Sequence, residues 1–383
     1  MKKETATHGR KFIPALTGLR AFCAYGIFFY HLNPFSKEAQ PSLFTLFDQF
    51  YSFIPFFFVI SGFVIFYNYY KPGGYSKNEW YNYFVSRFAR IFPILIILNT
   101  AYFALCYRDH IYNAVETIKL YLLNITLLKG FFADYFFTGI VPSWTNSVEE
   151  VFYLLAPLLF LFSKKRWILI KFVLLFYALG FILTCIFINV PFHGFLSSFR
   201  FTAYFTFFGR VFEFTAGIYL ALLFMNMYKN KWLEKVKQFT LPIGFLLLAF
   251  LYALLCNISS QYHVAHANEV WQGILINNLL FPVAIFFILY SFLYCKSIVQ
   301  KMLSSKIMVA LGNSTYSFYL LHTSFILSYI RKYISKNVFI VFVVMIIVSF
   351  IFYKLVEQPI AKFLKRKLYR KPATTQLSSS INA

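Results

Sequence analysis

The stretch Phe12 to Leu32 reads FIPALTGLRAFCAYGIFFYHL. It matches the roughly 20 apolar residues that a helix needs to cross a bilayer. It nevertheless carries Arg20 in its middle and His31 at its far end. On a helix these two lie about three turns and roughly 16 Å apart, on one face. A cation at mid-membrane costs about 2.5 kcal/mol or more unless it faces a polar interior, so Arg20 marks a functional interior rather than a lipid-facing wall. Lys2, Lys3, Arg10 and Lys11 precede the segment and no small-residue cleavage site ends it, the pattern of a retained signal anchor.

Working outward from this segment, apolar runs of similar length recur along the whole chain. Of 383 residues, 60% are hydrophobic and only 13% charged, against about 25% charge in soluble domains. The expected fold is all-α, a polytopic membrane protein with about ten transmembrane helices. The spans fall near 12–32, 46–69, 85–107, 147–163, 167–190, 207–228, 239–257, 273–294, 310–330 and 337–356. A helical stretch near Thr117–Leu128 is either re-entrant or lies along the surface. One membrane domain, 1–371, precedes a disordered tail, 372–383.

The net charge of +23 has a membrane explanation. Placing the N-terminus in the cytoplasm puts most Lys and Arg into internal segments: the N-terminal arm, Lys71–Arg90, Lys164–Arg166, Lys229–Lys237, Lys296–Lys306 and the tail from Lys354. Both termini are then cytoplasmic, Arg20 sits near mid-depth and His31 at the outer boundary. No isolated basic domain or aromatic-interleaved motif points to nucleic acid. The five cysteines contain no CxxC pair, and a disulfide framework is not expected.

Several further motifs carry chemistry. Ser61-Gly62 in the second span permits close helix packing. Arg87 and Arg90 are three residues apart on one side of the third span, a spacing suited to phosphate oxygens. In the sequence from Pro142 to Tyr153, Asn146 or Ser147 is expected to cap a helix whose first turn holds Glu149 and Glu150, one of them facing inward. Arg210 and Glu213 begin the sixth span, either as an i,i+3 pair or as site residues near the outer level. His263 and His266 form an HxxH without the ligands that would complete a zinc site, so no metal is expected. In the ninth span Thr315, Tyr319 and His322 form a polar stripe. At Glu357-Gln358-Pro359 the proline is expected to end the last helix, followed by a basic amphipathic segment.

These residues in this order resemble the type 3 acyltransferase family of integral membrane proteins. The resemblance rests on Leu16-Thr17-Gly18-Leu19-Arg20 with His31, FFFVISGF, Arg87/Arg90, WTNSVEEVFY, GRVFEFTAG, STYSFYLLH and VEQP, and runs from Pro14 to Pro359. Departures fall at Thr17, Asn146 and Val151, where the family usually has Asp or Asn, Leu, and often Gln. Some members carry a hydrolase-like domain after the last helix; the sequence ends about 24 residues beyond Pro359, so none is expected here.

The resemblance implies transfer of an acyl group, as acetyl from acetyl-CoA, from the cytoplasm to a hydroxyl of a surface polysaccharide, lipopolysaccharide or other glycoconjugate. It implies a multi-pass protein of a bacterial cytoplasmic (inner) membrane. A neutral sugar hydroxyl attacks a thioester poorly, so a base titrating near neutrality helps, and His31 is assigned that role, with an acyl-histidine as a variant. Glu149 would orient the imidazole as the acid of a triad does. Arg20 would stabilise the oxyanion or hold the pantetheine arm, and Arg87 and Arg90 would bind the coenzyme phosphates. Arg210, Glu213, Tyr319 and His322 would lie on the acceptor side. The alternative is a glycolipid or anion transporter (a flippase) with Arg20, Arg210 and His322 lining its path; the inverted repeats or paired broken helices that would favour it are not visible.

Overall fold

Long apolar runs fold here as helices; among the described residues there is no strand, and only an isolated bridge joins Phe132 to Phe195. The computed structural model describes residues 10–72, 74–162 and 166–370. Its principal helices are α1 (Pro14–His31), α2 (Ile54–Tyr69), α3 (Lys77–Arg108), α4 (Trp144–Phe162), α5 (Arg166–Phe187), α6 (Phe207–Phe224), α7 (Thr240–Gln261), α8 (Phe281–Tyr294), α9 (Lys306–Asn313), α10 (Thr315–Leu321), α11 (Phe325–Tyr333), α12 (Val338–Phe352) and α13 (Gln358–Leu368).

Small residues set the centre of the bundle. At the α2–α6 crossing, a Cβ on Gly62 would stand 2.2 Å from the Phe214 carbonyl oxygen, and one on Gly217 2.0 Å from that of Val59. The two backbones therefore touch directly, which only glycine allows. Helix α1 is seated the same way, Gly18 against Leu303 and Gly312 against Thr17. The inner layer is distinguished by burial: 78% of the most apolar window in 41–69 is buried and 72% of that in 199–224, against 17% in 167–187 and in 338–368. The outer helices turn Leu174, Leu175 and Val343 outward, an apolar belt suited to hydrocarbon rather than water.

Seven helical stretches are long and apolar enough to cross a membrane, fewer than the expected ten. The difference lies in three places. Helix α1 has 18 residues, but Arg20 and His31 lower its hydropathy; α4 has 19 and opens with the polar run Thr145 to Glu150. The expected ninth span is broken into α9, α10 and α11. Ser305 caps α9 and Ser324 caps α11, each accepting a backbone N–H, so both starts are fixed by side chains within the apolar run.

Two local expectations are corrected. Helix α4 begins at Trp144, continuing a 3₁₀ turn at Val141–Ser143, so neither Asn146 nor Ser147 caps it. Pro142, whose fixed φ suits a helical start, begins the turn early and moves Glu149 and Glu150 into the second turn. Pro359 does not end the last helix. A π-turn at Tyr353–Glu357 precedes it, and Pro359 sits in the first turn of α13, where its missing N–H costs little.

The stretch near Thr117–Leu128 is mainly a separate helix, Ala114–Ile125, closed by an Asn113–Glu116 capping box. Its exposed stripe of Val115, Ile118 and Leu122 points away from the bundle. Basic segments gather opposite His31: the Arg10 guanidinium donates to the Phe66 and Tyr70 carbonyls, and Asn82 and Arg370 bond to each other. Lys2, Lys3, Lys164 and the tail 372–383 lie outside the described residues.

Candidate active site

Arg20 on α1 and Arg90 on α3 meet where two cavities join. The larger, with about 1950 Å³ of non-atom space, opens among the basic residues Lys11, Arg87, Lys362 and Lys365. The smaller, with about 630 Å³, lies deeper and is lined by Glu149, Tyr153, Thr145 and Tyr319. Arg20, Arg90 and Tyr316 belong to both walls. Among the described residues no hydrogen bond or salt bridge engages either guanidinium, whereas Arg87 donates to the Tyr69 hydroxyl at 2.8 Å and lies over the Tyr69 and Tyr153 rings. Two cations facing a cavity without hydrogen-bonded partners are available to an anionic or carbonyl oxygen ligand.

Glu149 supplies the opposing charge, with Arg90 and Arg20 its main electrostatic neighbours. The Tyr153 hydroxyl donates to Glu149 Oε2 at 3.1 Å and so accepts from the Ser61 hydroxyl at 2.9 Å. Ser61-Gly62 therefore serves twice, Gly62 as the packing notch and Ser61 as the start of this chain. Tyr316 donates to the Ile91 carbonyl at 2.8 Å, which fixes its ring at the cavity junction. No hydrogen bond or ring contact links Glu149 to His31 among the described residues, so the triad-like placement expected from sequence is not the observed geometry.

The imidazole of His31 stands elsewhere, at the exposed end of α1. Its ring centroid is 4.6 Å from that of Tyr30 and 5.2 Å from that of His322. His322 is fully buried at the end of α10, with Nδ1 2.7 Å from the Tyr319 carbonyl oxygen. The Tyr319 ring lies 5.5 Å from His322 and also forms part of the deeper cavity, with Thr145 Oγ1 3.1 Å from its hydroxyl. The order from the basic mouth is thus Arg87, then Arg90 and Arg20, then Tyr319, then the two histidines.

Arg210 and Glu213 form a fully buried ion pair at 2.7 Å. Arg210 also donates to the Tyr204 carbonyl and to Asn278 Oδ1. Neither residue lines the two cavities. His266, the inner member of the HxxH, packs against Tyr30 and Tyr51, while His263 is exposed at φ +52°.

Other contributors escape a spacing argument. Tyr153, Tyr316 and Glu357 are set by packing between distant helices, and Lys362 and Lys365 reach the mouth because α13 folds back along α3. Lys129 is fully buried in the loop before α4 and donates to the Thr138 and Ile140 carbonyls at 2.6 and 3.0 Å. Burial pushes its ammonium down to about 7. Its two bonds hold the turn from which α4, and hence Glu149, departs.

The helix bundle thus has a cation-lined interior and a pair of histidines beyond it. Residues 13–354 match the type 3 acyltransferase family, described as an acyltransferase domain, and the chain belongs to that family. A Staphylococcus aureus (strain COL) protein named "Putative O-acetyltransferase SACOL0978" is 27% identical over 380 residues, covering 92% of this chain and 58% of that protein. The O-acetyltransferase OatA of Staphylococcus aureus (strain NCTC 8325) is 25% identical over 386 residues, covering 94% of this chain and 59% of its own length. The chain thus spans less than three fifths of the length of these relatives. No solved structure matches it.

Proposed function

We propose that the chain is a membrane O-acyltransferase of a bacterial cytoplasmic membrane. It takes an acyl group, in the simplest case acetyl, from acyl-CoA at the basic end. It delivers that group to a sugar hydroxyl of a surface polysaccharide or glycoconjugate at the His31 end. The observation that carries this reading is the run of cavities from the Lys362–Lys365 mouth to two guanidiniums without hydrogen-bonded partners, then on to Tyr319 beside the histidines. Family membership and the O-acetyltransferase names of the relatives support the reaction class.

The chemistry follows from the residues present. Arg87 and Arg90 meet the coenzyme phosphates in a fork geometry that lysine lacks. Arg20 offers N–H groups to a carbonyl oxygen that gains negative charge as the hydroxyl attacks. His31 accepts the hydroxyl proton. Glu149 balances Arg20 and Arg90 rather than orienting His31. Tyr319 and His322 stand on the acceptor side of the deeper cavity, whereas Arg210 and Glu213 contribute by fixing α6 against its neighbours.

The test uses the purified chain in lipid nanodiscs with labelled acetyl-CoA and candidate glycans. Thiol release matched by ester formation is expected, and His31→Ala should lower both at least about 100-fold while the protein accumulates normally. Movement of a glycolipid across the bilayer without thiol release would replace this reading by transport.

A further inference from the structure

We propose that His322 is the hydrogen-bond acceptor that orients His31 and steadies its charged form, the part a carboxylate has in a hydrolase triad. This inference rests on the acyltransfer reading and names the group that makes His31 an effective base.

The tautomer of His322 carries the argument. The Tyr319 carbonyl oxygen, 2.7 Å from Nδ1, can only accept, so Nδ1 bears the proton. Nε2 is then a lone pair, and it is buried without a hydrogen-bond partner. The ring cannot turn freely to find one: it lies parallel to Phe318, with an interplanar angle of 3°, and is fully buried. A buried acceptor left unpaired costs about 1–3 kcal/mol, so a fixed ring with an orphan lone pair calls for a donor. The neighbouring imidazole is His31, with ring centroids 5.2 Å apart. At that separation, nitrogens of the two rings that face each other fall near the roughly 3 Å of a hydrogen bond, so the pairing requires His31 to turn an N–H toward Nε2. Catalytic hydrogen bonds commonly tighten in this way once substrate is bound.

In the step that follows, the acceptor hydroxyl oxygen attacks the acyl carbon while its proton passes to the nitrogen of His31 that faces away from His322. The imidazolium is held by its N–H bond to Nε2. The carbon–sulfur bond breaks, and the leaving sulfur takes the proton from His31, restoring both neutral rings. A sugar ester and a free thiol are formed, with atoms and charge in balance. His322 touches neither substrate, so it is a positioning residue.

Two substitutions separate this role from packing. His322→Asn keeps an amide N–H at the position of Nδ1 and can still donate to the Tyr319 carbonyl, but nothing reaches the position of Nε2. His322→Gln loses the bond to Tyr319 and carries a carbonyl oxygen to the Nε2 position. The expected result is a fall in kcat of roughly 30-fold or more for Asn, within the range for acid–base support, with KM for acetyl-CoA unchanged and Gln recovering most of the rate. Equal losses in the two variants, or an Asn variant as active as the wild type, would overturn the proposal. A second readout needs no turnover: the rate at which diethyl pyrocarbonate modifies His31, followed by mass spectrometry. It should slow several-fold in the Asn variant, because the distal nitrogen loses its polarising bond; an unchanged rate sinks the pairing. If the wild-type protein releases no thiol with any glycan while these rates still differ, the acyltransfer reading fails and the His31–His322 contact stands apart from it.

Discussion

Arg210 and Glu213 are both fully buried, and each leaves one polar atom, Arg210 Nη2 and Glu213 Oε2, without a partner. Removing one member of such a pair strands the other charge and costs about 3–5 kcal/mol. Glu213→Ala is therefore expected to lower the melting temperature sharply in nanodiscs, and Glu213→Gln, which keeps an acceptor for Arg210, much less. For both variants KM for the glycan acceptor should stay within a factor of about two of wild type, since binding free energies are the logarithm of that ratio. At this scale the sequence was informative about residue types and poor about partners. Arg20, Arg87, Arg90 and Glu149 all line the cavities. Glu149 and His31 are nevertheless apart: the 3₁₀ turn at Pro142 starts α4 early, at Trp144, and the Glu149 carboxylate faces the cavity shared with Arg20 and Arg90. A local capping pattern cannot report which distant helix a side chain will meet.

Helix α13 is the element whose role was least legible. Read from sequence, Pro359 is a stop, followed by a basic amphipathic segment. The π-turn at Tyr353–Glu357 absorbs the proline and keeps the chain helical, and its last residue, Glu357, accepts from the Ser317 hydroxyl at 2.5 Å. That bond joins the turn to α10. Lys362 and Lys365 consequently stand at the mouth of the larger cavity beside Arg87. The double variant Lys362→Glu, Lys365→Glu is expected to raise KM for acetyl-CoA about tenfold or more with kcat nearly unchanged, as loss of uniform binding does. The effect should shrink as ionic strength rises, because the mouth is open to solvent. Steady-state kinetics at two salt concentrations check both parts. By contrast the close packing of α2 was legible at Gly62, a small residue of the kind that lets membrane helices approach, whereas its partner Gly217 on α6 was not singled out.

For the whole molecule, the arrangement of charge predicts one direction of insertion. Basic segments gather at the Arg10 end and His31 lies at the other, so the positive-inside tendency predicts Lys235 in the cytoplasm and Glu38 outside. In a variant lacking the five cysteines, Glu38→Cys should react with an impermeant maleimide on intact cells, and Lys235→Cys only after lysis. The reverse pattern would turn the proposed delivery path around. The number of crossings was less legible than their existence: hydropathy marks a segment by its average, and a helix built around Arg20 or broken at His322 falls below that average while still belonging to the bundle. The junction shared by the two cavities has one more consequence. The proposed delivery path would join the two faces of the membrane, and Arg20 and Arg90 place two positive charges where its two cavities meet. Fixed positive charge along such a path repels protons and metal cations, so the residues proposed to meet the donor would also resist an ion leak. Liposomes holding the Arg20→Gln, Arg90→Gln variant should lose a proton gradient faster than those holding the wild type.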